Sequence, residues 1–144
     1  MSAILQALAI VALAAGAAVL THEYHPRAPA LSLIEAPVQK DEVNLRQVQE
    51  RWKGDVVWID ARSEEVYQKG HIPGALLLNE QGFNEQSFAL MDVLQTTTKP
   101  IIIYCDGEKC DASRTIHKRL LEVFPLDNCY VLKGGWPAWK AAQK

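Results

Sequence analysis

Ile101-Ile102-Ile103-Tyr104-Cys105-Asp106-Gly107-Glu108-Lys109-Cys110-Asp111-Ala112 is an apolar run closed by a cysteine, followed by a short polar loop that opens into a helical pattern. Pro100 starts the run, whose length suits a strand buried on both faces. The helix predicted from Ala112 reaches Phe124 and stops before Pro125, a residue that cannot continue it. A thiol between a strand and a helix is a candidate nucleophile. The first N–H groups of a helix lack intrahelical partners and point outward, so they stabilise a thiolate and any anion bonded to it. An inert core cysteine would sit inside the apolar run, whereas Cys105 ends it. Gly107 behind it lets backbone N–H groups turn inward as an anion-binding nest.

The same alternation continues on both sides. Val43, Leu45, Val48 and Trp52 recur at helical spacing up to Gly54, and Val56–Ile59 reads as a buried strand. A helical turn from Ser63 to Lys69, with Ser63 as its cap, precedes a strand at Leu76–Leu78. The spacing predicts a helix over Phe83–Leu94 that faces the core through Phe83, Phe88, Met91 and Leu94, and a last strand at Tyr130–Leu132 before Gly134-Gly135. Near-continuous apolar strands separated by helices predict an α/β domain whose mainly parallel sheet is covered on both faces. Ligands of such sheets sit beyond the carboxyl ends of the strands, where Cys105 lies.

At 144 residues there is room for one ordinary domain. The net charge of −2 comes from interspersed charges, without the basic stripe that nucleic-acid binding requires. Ala3 to Leu20 holds no charged residue and reads as a hydrophobic helix able to meet a membrane. The chain then divides into a hydrophobic anchor or signal segment (1–22), a Pro-containing tether (23–40) and the α/β domain (41–144). The long apolar run and the poor cleavage match at Ala28-Pro29-Ala30 favour an uncleaved, single-pass anchor, with the domain on the exported side. Three cysteines, Cys105, Cys110 and Cys129, leave at least one thiol outside any pairing. No Cys-x-x-Cys pair or histidine cluster has metal-ligand spacing, since His71 and His117 stand alone and His22 and His25 flank the apolar segment.

Three segments together carry a family resemblance: Asp60-Ala61-Arg62 with Tyr67 and Gly70-His71-Ile72-Pro73-Gly74-Ala75; Cys105 at its strand end; and Gly134-Gly135-Trp136-Pro137-Ala138-Trp139. From about Val43 to the C-terminus the chain resembles the rhodanese (sulfurtransferase) family. The resemblance implies a doubly wound α/β domain with a central, mainly parallel sheet flanked by helices, here preceded by the N-terminal hydrophobic helix. It further implies sulfur transfer through a Cys105 persulfide, with a small sulfur donor, a thiol or cyanide acceptor and no cofactor. Asp60 and Arg62 would brace the floor of the loop as a salt-bridged pair. Gly70, Pro73 and Gly74 suit a tight connection that His71 serves by hydrogen bonding, and Gly134-Gly135-Trp136-Pro137 suits a turn into a terminal helix.

The loop departs from the family pattern, because Ser113-Arg114 and the helical residues Ile116, Leu120 and Leu121 fall about two positions late. Asp106, Glu108 and Asp111 make it acidic, which disfavours a thiolate and repels a dianionic donor unless Lys109, Arg114 and the helix end compensate. Cys110 is either a spare thiol or a partner able to resolve a persulfide or sulfenate on Cys105 into a disulfide. The alternative to catalysis is therefore a membrane-tethered module for redox sensing or partner binding. Cysteine-dependent phosphatases on this scaffold need an Arg six positions past the nucleophile. The sixth residue after Cys105 is Asp111 and after Cys110 is Ile116, which argues against that chemistry.

Overall fold

The computed structural model describes residues 39–107 and 111–143. The hydrophobic segment read at 1–22, all of the tether except Gln39 and Lys40, and the loop residues Glu108, Lys109 and Cys110 lie outside the described residues. Among the described residues no helix is long and apolar enough to cross a membrane.

Glu42–Val43 (β1), Val57–Asp60 (β2), Leu76–Leu77 (β3), Ile101–Tyr104 (β4) and Cys129–Leu132 (β5) form a five-stranded sheet in the order β1-β5-β4-β2-β3. Every pairing is parallel. The helices are Leu45–Trp52 (α1), Glu64–Lys69 (α2), Phe83–Ala89 (α3), Met91–Thr96 (α4), Ala112–Val123 (α5) and Gly135–Ala142 (α6). The α/β architecture with a central parallel sheet is therefore the one the alternating pattern predicts.

Successive residues of a strand point to opposite faces of a sheet, and β4, buried along its whole length, divides the core accordingly. Ile101, Ile103 and Cys105 join Ile59, Leu78, Phe83, Leu94, Ile116 and Leu120 on one face. Ile102 and Tyr104 join Val43, Val48, Ile72 and Leu132 on the other, with Trp52, Trp136 and Trp139 packed against them. This parity sends the Cys105 side chain toward α5.

Two sequence expectations change. Val43 belongs to an edge strand rather than to the helix that follows. Asn44 caps α1, its side chain accepting from Gln47 N–H at 2.8 Å while the Gln47 side chain accepts from Asn44 N–H at 2.9 Å. The residue before such a cap is not helical, and here Lys133 N–H donates to its carbonyl at 2.8 Å. The helix expected over Phe83–Leu94 breaks at Leu90, and Phe88 is 74% exposed instead of facing the core. At 3.6 residues per turn Phe88 lies about 140° around the helix from buried Phe83. Ser87, one turn on from Phe83, takes the inward position.

The two phenylalanines of α3 should therefore respond oppositely to truncation. Phe83→Ala should cost about 3–5 kcal/mol, and Phe88→Ala should stay within about 0.5 kcal/mol of the parent. Urea denaturation midpoints measure both, and equal losses would contradict the placement of this helix.

Burial also fixes a pH dependence. Desolvation pushes the Cys129 thiol up from 9.0 to about 12. Tyr104 is likewise raised, by burial first and then by its hydrogen bond to Asp60. The folded state keeps these protons at a pH where the unfolded chain releases them. The Cys129 contribution is thus intact below pH 9.0 and is lost as the pH climbs through about 12, while that of Tyr104 is intact below its ordinary 10.0 and is lost at higher pH. The urea midpoint should fall on going from neutral pH to about pH 10, and Cys129→Ala should remove part of that fall. An equal fall in the variant would contradict the assignment to Cys129.

Candidate active site

Cys105 is the first residue past β4 and is 2% exposed. Its sulfur faces polar atoms at the gap between the sheet and the following helix: Ser113 Oγ lies 3.2 Å away and the Gly107 carbonyl oxygen 3.7 Å. Ser113 is the second residue of α5, whose N-cap Asp111 makes no side-chain capping bond. The first amides of α5 have no intrahelical acceptor, so the sulfur sits where a helix start favours negative charge. In the sequence Ser113 stands out only by its late spacing. A contact across eight residues of irregular loop has no periodic signal, and the readable hint was a small hydroxyl in the first turn of the helix.

The carboxyl end of β2 lies beside that of β4, with Asp60 in register with Tyr104. Arg62 folds back onto Asp60, donating from Nε to Oδ1 at 2.9 Å and from the terminal nitrogen Nη2 to Oδ2 at 2.6 Å. Nη2 also donates to the Gly70 carbonyl at 2.7 Å, and the other terminal nitrogen, Nη1, lies 3.6 Å from Asp106 Oδ1. Tyr104 Oη donates to Asp60 Oδ2 at 2.7 Å and accepts from Ile72 N–H at 3.0 Å. Burial alone would lower the Arg62 pKa, but the hydrogen bond and charge of Asp60, with smaller contributions from Tyr104 and Asp106, raise it above its ordinary value. The buried pair thus ties the ends of two strands to the connection before β3 and to the residue next to Cys105.

The third segment closes the site from above. A Cβ on Gly135 would stand 2.2 Å from the Cys105 carbonyl oxygen and 2.9 Å from Gly107 N, so no side chain fits there. Gly135 also has φ of 53°. Trp136 N–H donates to the Cys105 carbonyl at 2.7 Å. The Trp136 ring stacks on Trp139 with centroids 5.1 Å apart, and the Arg62 guanidinium lies over it at 4.6 Å. The double glycine announces a turn in the sequence, but its close approach to the loop backbone is visible only in three dimensions. On the far side, His71 Nδ1 lies 3.0 Å from the Tyr67 carbonyl and its ring stacks on Tyr67, whose hydroxyl donates to the Ala75 carbonyl at 2.7 Å.

The structure brings Cys105, Asp106, Gly107, Asp60 and Arg62 together at one end of the sheet. Arg114 is placed differently: its guanidinium pairs with Glu42 and reaches Gln39 Oε1 at 3.3 Å, both at the start of β1. Cys129 is buried in β5. Glu108, Lys109 and Cys110 lie outside the described residues. Among the described residues no group of His, Cys, Asp or Glu side chains is placed to hold a metal ion.

A family model described as "Rhodanese-like domain" matches residues 45–142. The thiosulfate sulfurtransferase GlpE of Pseudoalteromonas translucida (strain TAC 125) is 31% identical over 93 residues, 62% of this chain and 78% of that protein. The tRNA uridine(34) hydroxylase of Buchnera aphidicola subsp. Schizaphis graminum (strain Sg) is 33% identical over 66 residues, 44% of this chain, and the match spans only 21% of that longer protein. Among solved structures, BH2092 from Bacillus halodurans aligns with a TM-score of 0.56 at 21% identity, over 71% of this chain and 72% of that one. The human single-domain sulfurtransferase TSTD1 aligns with a TM-score of 0.56 at 18% identity, over 74% of this chain and all of that one. At these identities the two structures establish the shared fold. The family match, by contrast, runs from the first residue of α1 to the last of α6, and the chain belongs to the rhodanese-like domain family.

Proposed function

We propose that the chain is a sulfurtransferase that carries a sulfane sulfur as a persulfide on Cys105 and moves it from a donor (thiosulfate, a persulfide or a polysulfide) to a thiol or cyanide acceptor. The observation that carries this reading is the placement of the Cys105 sulfur 3.2 Å from Ser113 Oγ at the start of α5. The names of GlpE and TSTD1 as sulfurtransferases support it at the level of the family.

In the first half-reaction the Cys105 thiolate attacks the outer sulfur of the donor. A sulfur–sulfur bond forms at Cys105, the donor's own bond to that sulfur breaks, and the electron pair leaves with sulfite or a thiolate. The persulfide anion is held by the hydroxyl of Ser113 and the amides at the start of α5. In the second half-reaction an acceptor thiolate or cyanide attacks the outer sulfur and Cys105 departs as thiolate, so neither half needs a cofactor. Asp60 and Arg62 act by holding the loop rather than by touching the donor.

The full chain treated with thiosulfate or a polysulfide should gain the mass of one sulfur on the Cys105 peptide, and Cys105→Ser should gain none there. Ser113→Ala should slow uptake by about tenfold through loss of a charge-assisted hydrogen bond, with the melting temperature little changed. Wild-type sulfite release from thiosulfate by Cys105→Ser would refute the mechanism. A wild-type chain that takes up no sulfur would favour the non-catalytic redox or partner-binding module.

A further inference from the structure

We propose that the Cys105 site draws its sulfur from a hydropersulfide or polysulfide of low charge and discriminates against thiosulfate, because Arg62 beside the Cys105 loop and Arg114 in the first turn of α5 are already engaged by carboxylates of the chain itself. This rests on the sulfur-transfer reading and narrows its donor.

Arg62 serves Asp60 at 2.6 Å and Asp106 at 3.6 Å at the same time, so this trio carries net negative charge. Asp106 follows Cys105 directly, and 61% of its side chain is exposed to whatever approaches from solvent. Arg114 reaches from the first turn of α5 to Glu42, whose side chain is 7% exposed. A cation matched to a buried carboxylate is neutralised where it stands, and drawing it toward a substrate would strand that carboxylate without a partner. Asp111, the N-cap of α5, adds a further carboxylate where the loop meets the helix.

A helix N-terminus amounts to about half a positive charge. With the Ser113 hydroxyl this suffices for a single thiolate or persulfide. Thiosulfate brings a dianion to an attacking thiolate and must expel sulfite, itself a dianion, past Asp106. A hydropersulfide RS–SH asks less. The Cys105 thiolate attacks its terminal sulfur, the new bond forms as the RS–S bond breaks, and RS⁻ departs with the electron pair and takes up a proton from water. An organic hydropolysulfide reacts in the same way at its terminal sulfur, with the shorter organic polysulfide monoanion as leaving group.

The test measures the rate of sulfur gain on Cys105 in the full chain, using thiosulfate and 2-hydroxyethyl hydropersulfide at low and high salt. Thiosulfate loading should accelerate as salt screens the repulsion, while hydropersulfide loading should change little. Asp106→Asn should raise thiosulfate loading by about fivefold, the effect of one charge removed at close range in a solvated site, and flatten its salt dependence. Glu42→Gln, which frees Arg114 without altering the loop, should shift thiosulfate loading in the same direction and guards against a loop disturbed by the first variant. Thiosulfate loading that slows with salt, or that neither variant increases, would overturn the donor preference while leaving sulfur transfer standing. A chain that neither donor loads would overturn sulfur transfer and this inference together.

Discussion

A guanidinium with 2% of its side chain exposed, Arg62, organises one end of this sheet. A charge so placed is tolerable only if its donors are matched, and Nε, Nη1 and Nη2 each face a definite partner among Asp60, the Gly70 carbonyl and Asp106. Removing one member of a buried pair typically costs about 3–5 kcal/mol, because the other is left charged without water. That penalty makes the geometry stiff. Asp60 cannot move without losing Tyr104, and Tyr104 cannot move without releasing the Ile72 amide. The ends of β2 and β4 and the turn before β3 are thereby fixed as one block.

On that block the position of the sulfur follows from parity. Tyr104 points to the face with Trp136, and the next residue must point to the face covered by α5. Ser113 in the first turn of that helix meets it. From the opposite face, the start of α6 presses on the loop so closely that Gly135 can carry no side chain, and Trp136 fixes the Cys105 carbonyl by hydrogen bond. The backbone from Cys105 to Gly107 is gripped from both layers of the domain, and the proposed sulfur transfer needs little beyond that grip and one thiol.

Much of this was legible in the chain. Ile101–Tyr104 is apolar without interruption because both faces of a parallel strand are covered, and the polar loop and helical period after it mark where the sheet ends. The pairing of Asp60 with Arg62 is local enough to suspect. What escaped is what depends on distant partners. β1 is two residues long and exists because β5 lies beside it, so no period announces it. Phe88 resembles a core residue until α3 is rotated by the inward choice of Phe83 and Ser87. Arg114 looks like a cation for the loop, yet Glu42, far away in sequence, takes it. Hydrophobic pattern reports burial, whereas the choice among polar partners is made by tertiary geometry.

If the Arg62 fork holds the Cys105 loop in the shape that the proposed sulfur transfer requires, Arg62→Lys should disable it. Lysine keeps the charge but cannot bridge Asp60, Gly70 and Asp106 from one rigid plane. With the fold verified by circular dichroism, the rate of sulfur uptake at Cys105 should fall by about tenfold or more, the order expected when a reacting atom is slightly misplaced. Uptake at the wild-type rate in a folded Arg62→Lys chain would mean that the fork does not position Cys105.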